Sequence, residues 1–260
     1  MKLELISRPS DEKTHPTPLL FVHGAWHAAW CWEAYFLPYF AARGWDCYAM
    51  SLRGHGGSAG RVRWVRAKDY VADVEQIVEG LGARPVIIGH SMGGYVLQKY
   101  LERHTLPAAV LLASIPSSGT FGLLRRSIVR HPLAVIEAVF TLDLYPLVGT
   151  PARAHDLLFS ASVSRRKVEV HFQRLRSESY RILLDSAFLD VPKPRRLQTP
   201  IMVIGGSKDA VFTVAETRAT AIDYRSQAVI LPNMAHDIML EPRWRDAADC
   251  INQWLGERNL

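Results

Sequence analysis

The sequence predicts an α/β protein: a mostly parallel, doubly wound sheet flanked by helices and interrupted by an all-helical cap insertion. Three observations lead there. Seven short apolar runs rich in Val, Ile and Leu recur along the 260 residues. Amphipathic helical stretches separate them. The alternation stops after residue 114 and resumes at residue 200, with only helical patterns in between.

The apolar runs are residues 3–6 (LELI), 18–24 (PLLFVHG), 46–50 (DCYAM), 85–91 (PVIIGHS), 108–114 (AAVLLAS), 200–206 (PIMVIGG) and 227–233 (QAVILPN). Runs that are apolar throughout suit strands covered on both faces, as in a parallel sheet between two helical layers. In residues 68–82, Val71, Val74, Ile77, Val78 and Leu81 fall on one helical face, with Asp69 near the start and Gly82 past the end. Residues 95–104 and 241–255 give two further helices. Residues 121–140 and 165–186 read as helical within the insertion. The expected organisation is a core of residues 1–116 and 197–260 carrying a helical cap of residues 117–196.

Composition narrows the classes. A hydrophobic fraction of 48% and a charged fraction of 22% are ordinary for a globular domain and exclude disorder by composition. No apolar stretch approaches the ~20 residues that cross a bilayer. The first 18 residues alternate and then turn polar, without the apolar centre of a signal peptide, which predicts a cytoplasmic protein. Cys31, Cys47 and Cys250 are odd in number and widely spaced, so free thiols are expected rather than a disulfide framework or zinc site. The net charge of +6 is uneven: residues 117–196 hold 13 Lys and Arg against 7 Asp and Glu, and the remainder holds 18 of each sign. The simplest reading is that these cations solvate outer helix faces. Steering of an anionic substrate and contact of an amphipathic cap helix with an anionic membrane are sharper alternatives. Nucleic-acid binding is not expected, because no recognition motif accompanies the charge. The oligomeric state has no signature in the sequence.

The chemistry centres on residues 89–93, Gly-His-Ser-Met-Gly, set between a strand and a helix. Gly-x-Ser-x-Gly in that context is the pattern of a nucleophile elbow, in which a strained turn exposes the serine oxygen. A serine needs a base, and the base needs an orienting carboxylate. Asp209 lies just past the strand ending at Gly206, and His236 just past the strand ending near Pro232. Ser91, Asp209 and His236 are therefore the expected catalytic set. Asp237 is the weaker acid candidate, because a residue adjacent to the base normally points elsewhere. The region after the fifth run contains no acid. Oxyanion donors are expected from the backbone N–H of Met92 and of Ala25, with Trp26 as the alternative to Ala25. His23, His55 and His90 read as structural. Trp26, Phe121, Leu124 and Phe140 are candidate substrate contacts in an apolar roof, and Trp30 and Trp32 either extend that wall or pack in the core. No metal or organic cofactor is expected, since there is no histidine pair at metal spacing and no phosphate loop.

The segments HGAW, LRGHGGS, GHSMGG, GGSKDAVF and MAHDIML occur in this order along essentially the whole chain. Together they resemble the α/β-hydrolase fold superfamily, in its serine-type, esterase-like form with a helical cap. The resemblance implies acyl transfer to water on a small-molecule ester, with Ser91 attacking, His236 moving the proton and Asp209 steadying the imidazolium. It implies against the dehalogenase and epoxide-hydrolase members, which attack with an aspartate at the elbow where Ser91 stands here. Hydrolysis of a carbon–carbon bond, cofactor-free perhydrolysis and ligand binding without turnover use the same fold and remain alternatives. The HGAWHAAWCW loop is similar to that of small esterases acting on methyl esters. Ser51 departs from the family pattern, standing where relatives often carry Asp before Arg53, so a structural hydrogen bond near Arg53 is expected to differ.

Overall fold

The seven apolar runs become seven strands of one sheet in the computed structural model, which describes residues 1–194 and 198–260. The strands are β1 (Glu4–Arg8), β2 (Leu19–Val22), β3 (Cys47–Ser51), β4 (Val86–His90), β5 (Ala109–Leu112), β6 (Ile201–Gly206) and β7 (Ala228–Leu231). Their spatial order is β1-β3-β2-β4-β5-β6-β7, with β1 antiparallel to β3 and every other pairing parallel. Strands β2, β4, β5 and β6 are buried along their whole length, which is why their sequences are near-continuous apolar runs, His90 at the end of β4 excepted, rather than alternating. The order reverses between β2 and β4, and such a switch point opens a crevice at the carboxyl ends of the strands. Val22 pairs with Gly89 there, so the loops following both strands are neighbours.

Helices α1 (Trp30–Glu33), α2 (Phe36–Ala41), α3 (Ala67–Gly80) and α4 (Met92–Leu101) complete the first half. Trp32 packs on Phe21 with ring centroids 5.1 Å apart, and Phe36 meets the same ring edge-on at 6.1 Å. Trp32 is thus core, not pocket wall. Helix α3 starts where Asp69 accepts the Arg66 N–H at 2.9 Å, and Gly82, at φ 66°, follows its end. It buries Val71, Val74 and Ile77 of the expected stripe, with Tyr70 beside them, while Val78 and Leu81 at its end are only partly buried.

Between β5 and β6 lie α5 (Phe121–Arg130), α6 (Pro132–Thr141), α7 (Pro151–Leu158), α8 (Arg165–Phe172) and α9 (Tyr180–Leu184), which runs on into a π turn over Asp185–Leu189. An isolated bridge joins Asp143 to Ser179. The expected far boundary of the cap, at residues 196 and 197, lies outside the described residues. The helical run 121–140 breaks at His131, because Pro132 lacks an N–H and drives the residue before it out of helical geometry, to φ −139° and ψ 58°. The run 165–186 also breaks. Its middle turns inward so that Glu178, fully buried, accepts from the Tyr70 hydroxyl at 2.8 Å and pairs with His55 Nε2 at 3.1 Å. Burial works against the charged form of His55, but the Glu178 carboxylate outweighs it and raises the pKa above the ordinary value. This buried tie fastens the inserted helices to the sheet side of the molecule.

The sheet resumes with β6, α10 (Val214–Asp223), β7 and α11 (Trp244–Gly256). Cys31, Cys47 and Cys250 are free thiols. Among the described residues, no helix is long and apolar enough to cross a membrane. The departure at Ser51 is compensated from β1: the buried Ser51 hydroxyl donates to the Glu4 carboxylate and accepts from Ala29 N–H at 2.9 Å. Arg53 takes its carboxylate from α3 instead, donating to Asp73 at 2.7–3.0 Å through Nη2 and Nε.

Candidate active site

Ser91 sits between β4 and α4 at φ 50°, ψ −114°, a conformation that non-glycine residues rarely adopt. The turn is this tight because its flanking glycines allow backbone to approach backbone. A Cβ on Gly89 would stand 2.6 Å from the Gly93 carbonyl oxygen, and one on Gly93 would stand 2.4 Å from that of Val22. Gly24, in the loop after β2, is also crowded, since its Cβ would meet Ser91 Cβ at 2.9 Å. The elbow and the β2 loop are thus pressed together at the switch point of the sheet.

Ser91 Oγ lies 2.8 Å from His236 Nε2, and His236 Nδ1 lies 2.9 Å from Asp209 Oδ2. In the tautomer with the proton on Nδ1, that N–H donates to Asp209 and Nε2 accepts from the Ser91 hydroxyl. Asp209 follows β6 and is itself fixed: its Oδ1 accepts from the N–H groups of Val211 at 2.7 Å and Phe212 at 3.0 Å. The other oxygen is left to face His236. His236 follows β7, and its loop crosses the end of β6 over Gly206, where a Cβ would meet the Met234 carbonyl oxygen at 2.3 Å. The ring of Phe212 stands edge-on to His236 with centroids 5.5 Å apart. Only 6% of Ser91 is exposed. Three residues from three separate strand ends are therefore aligned in one dry hydrogen-bonded chain.

Asp237 does not join that chain. It is fully buried, pairs through Oδ2 with His27 Nε2 at 3.0 Å, and donates its N–H to the Leu158 carbonyl at 2.9 Å. Burial opposes both charges. Even so, each favours the charged form of the other, with the His27 pKa raised and the Asp237 pKa lowered from their ordinary values. Next to it, His90 Nε2 donates to the His236 carbonyl at 3.1 Å. This buried pair under the His236 loop escaped sequence reasoning. Its members are 210 residues apart, and only the doublet His236–Asp237 signalled it. Among the described residues, His90, His236 and Asp237 come close enough together to share a cation. Both His236 nitrogens are already engaged, so a metal there would break the serine–histidine–aspartate chain.

His23 is structural as expected: its Nε2 accepts from Leu52 N–H at 3.0 Å, and its Nδ1 faces the Gly24 carbonyl at 2.8 Å, pinning the β2 loop. In that loop, His27 N–H donates to the Gly24 carbonyl and Trp26 holds φ 65°, which makes residues 24–27 a tight turn around Ala25. Met92 opens α4, where a first-turn N–H has no intrahelical acceptor. Trp26 is buried, its carbonyl accepts from Arg176 N–H at 3.0 Å, and its indole N–H has no partner among the described residues. Trp30 stacks on His171 of α8 with centroids 6.2 Å apart. The roof residues do not come together as expected. Phe121 and Phe140 lie on the surface, 57% and 85% exposed, because the outer faces of α5 and α6 are apolar. Leu124 lines a small apolar void between α5, α6 and α9.

The buried histidines set a pH dependence of stability. Burial drives the His23 pKa well below its ordinary 6.5, and burial, reinforced by His236, brings that of His90 down to about 3. In the unfolded chain both take up protons below pH 6.5, so the unfolded state gains as pH falls. His27 and His55 act oppositely: their raised pKa values contribute stability that is complete below the unfolded 6.5 and lost as pH rises through the folded values. Stability from these four groups is therefore greatest near pH 6.5. Between pH 6.5 and 5.5, His23 and His90 together are expected to cost about 2 kcal/mol, read as a falling urea midpoint. An unchanged midpoint across that interval would show that they are not buried neutral.

The comparisons with known proteins bear on the family and the fold. The sequence profile described as the Alpha/beta hydrolase family matches residues 19–248. A monoacylglycerol lipase of Mycolicibacterium smegmatis is 26% identical over 235 residues, 83% of this chain and 80% of the relative. A non-heme haloperoxidase of Rhodococcus erythropolis is 25% identical over 243 residues, 84% of this chain and 85% of the relative. Among solved structures, a monoacylglycerol lipase from Paleococcus ferrophilus superposes with a TM-score of 0.76 at 19% identity, covering 99% of this chain and 100% of that one. A thermophilic esterase from Thermogutta terrifontis gives 0.75 at 20% identity, covering 99% and 94%. With its sheet order, its elbow and a profile match that reaches from β2 into α11, this chain belongs to the α/β hydrolase family.

Proposed function

We propose that the protein hydrolyses small or medium hydrophobic carboxylic esters through an acyl-enzyme on Ser91. The observation that carries this reading is the aligned chain of Ser91, His236 and Asp209, with contacts of 2.8 and 2.9 Å. His236 takes the serine proton as Ser91 Oγ attacks the ester carbonyl and returns it to the departing alkoxide. Water then repeats the sequence and releases the acid. Asp209, held by two backbone N–H groups, keeps the imidazole in the productive tautomer and stabilises its cation. The backbone N–H groups of Ala25 and Met92 receive the oxyanion, each worth on the order of 3 kcal/mol in the transition state. Trp26 offers its unpartnered indole N–H to the bound ester. Residues 117–196 serve as the cap over a core of residues 1–116 and 197–260.

Kinship with a protein named a haloperoxidase favours a second reaction on the same acyl-enzyme. Hydrogen peroxide in place of water would attack the acyl carbonyl and leave as a peracid, with Ser91 restored. A series of p-nitrophenyl esters from acetate to laurate, with and without peroxide, tests both. Hydrolysis is expected to peak at intermediate chain length, and peracid to form only when peroxide is added. Turnover of none of the series by the folded protein would overturn the ester reading.

A further inference from the structure

Helices α5 and α6 carry an apolar face that none of the described residues covers. No residue of α5 is buried, and α6 buries only Ala134 and Ala138. Val129 and Leu133 are 81% and 75% exposed, and Phe121, Ile136 and Phe140 project from the same hairpin. Among the described residues, seven of the fourteen large exposed hydrophobics lie on these two helices. Single exposed apolar residues are ordinary, but a contiguous cluster of this kind marks a docking surface.

Charge says what docks there. Residues 121–141 carry three arginines, Arg125, Arg126 and Arg130, against one acid, Glu137. Arg126 is spent on Glu216, at 2.9 Å, and on the Val211 carbonyl, at 2.8 Å, which ties α5 to the loop after Asp209. Arg125 and Arg130 are exposed and flank the apolar residues. A cleft of about 430 Å³ opens beside them, lined by Leu123, Arg125, Arg126, Arg130 and Ala210, the neighbour of Asp209. An apolar stripe bordered by cations is the pattern of a helix lying in a bilayer interface. A second copy of this chain would instead set two basic faces against each other, since a two-fold dimer pairs the same patch with itself.

The structure assigns the α5–α6 hairpin as a docking surface for an anionic phospholipid bilayer. Leu133, Ile136 and their neighbours enter the acyl boundary, and Arg125 and Arg130 pair with headgroup phosphates. The inference rests on the ester-hydrolase reading only for what docking would deliver, a lipophilic ester presented next to the Asp209 loop. Binding itself is independent of turnover.

The test is co-sedimentation of the full chain with vesicles of phosphatidylcholine alone or with one-third phosphatidylglycerol, alongside sedimentation velocity without lipid. Wild type is expected to partition at least ten-fold more strongly onto the anionic vesicles. Leu133→Asp/Ile136→Asp should abolish binding. Arg125→Gln/Arg130→Gln should weaken it on the order of 30-fold, about five-fold per cation. Both double variants should hydrolyse a short soluble ester at the wild-type rate, which confirms folding and reports separately on the ester reading. Absent binding by wild type, equal binding to neutral vesicles, or binding unchanged in the variants would overturn the assignment. So would a self-associated wild type that the same substitutions render monomeric, which would give the face to a second copy.

Discussion

Ser91→Ala should lower kcat/KM for an activated ester by on the order of 10⁵- to 10⁶-fold, with the unfolding midpoint nearly unchanged. His236→Ala should lose a similar amount, and Asp209→Asn roughly 10⁴-fold, because the amide reverses the hydrogen bond that sets the tautomer. The double variant Ser91→Ala/His236→Ala should be no slower than either single variant, since the groups act as one unit. The geometry demands this. Ser91 Oγ has His236 as its base at 2.8 Å, and the other nitrogen of that ring meets Asp209, at 2.9 Å. Steady-state kinetics on p-nitrophenyl butyrate measure all four variants. Additive losses would mean that the three side chains do not work as one relay.

Asp237→Ala should instead strike stability. Removing the carboxylate leaves a buried His27 without its counter-charge and His90 without its neighbour, and breaking a buried pair costs about 3–5 kcal/mol. The loss should shrink when His27 is also replaced by an apolar residue, as in Asp237→Leu/His27→Phe, because no unpaired charge then remains. Urea unfolding of the single and double variants reads it. The two adjacent roles thus separate cleanly: Asp209 is expected to govern turnover and Asp237 the integrity of the loop that carries His236. A stable Asp237→Ala variant with turnover reduced as far as in Asp209→Asn would reverse that assignment.

The parts of the molecule that were legible in the sequence are those encoded locally. Strands β2, β4, β5 and β6 read as apolar runs because both of their faces are covered. The elbow read as a five-residue pattern because the glycines that permit the turn stand two residues either side of the serine. Asp209 and His236 followed because each lies immediately past a recognisable strand. What escaped was non-local. The Glu178 tie to His55 and Tyr70 joins residues 123 and 108 positions apart, and the His27–Asp237 pair spans 210. Such pairs leave no periodic trace in the chain. Ser51 was seen as a departure, but its compensation by Glu4 required the register of β1 on β3. The direction of the cap faces was equally hidden. Periodicity tells which residues of α5 and α6 share a face, not whether that face meets a core or solvent, so Phe121 and Phe140 stand outside rather than over Ser91.

Intact-mass analysis after exposure to a fluorophosphonate reads directly whether Ser91 is an activated nucleophile. A single adduct on Ser91 is expected, absent in Ser91→Ala and slowed by orders of magnitude in His236→Ala. A folded wild-type protein that takes up no adduct would contradict it, and would leave this α/β hydrolase fold as a ligand-binding protein without turnover.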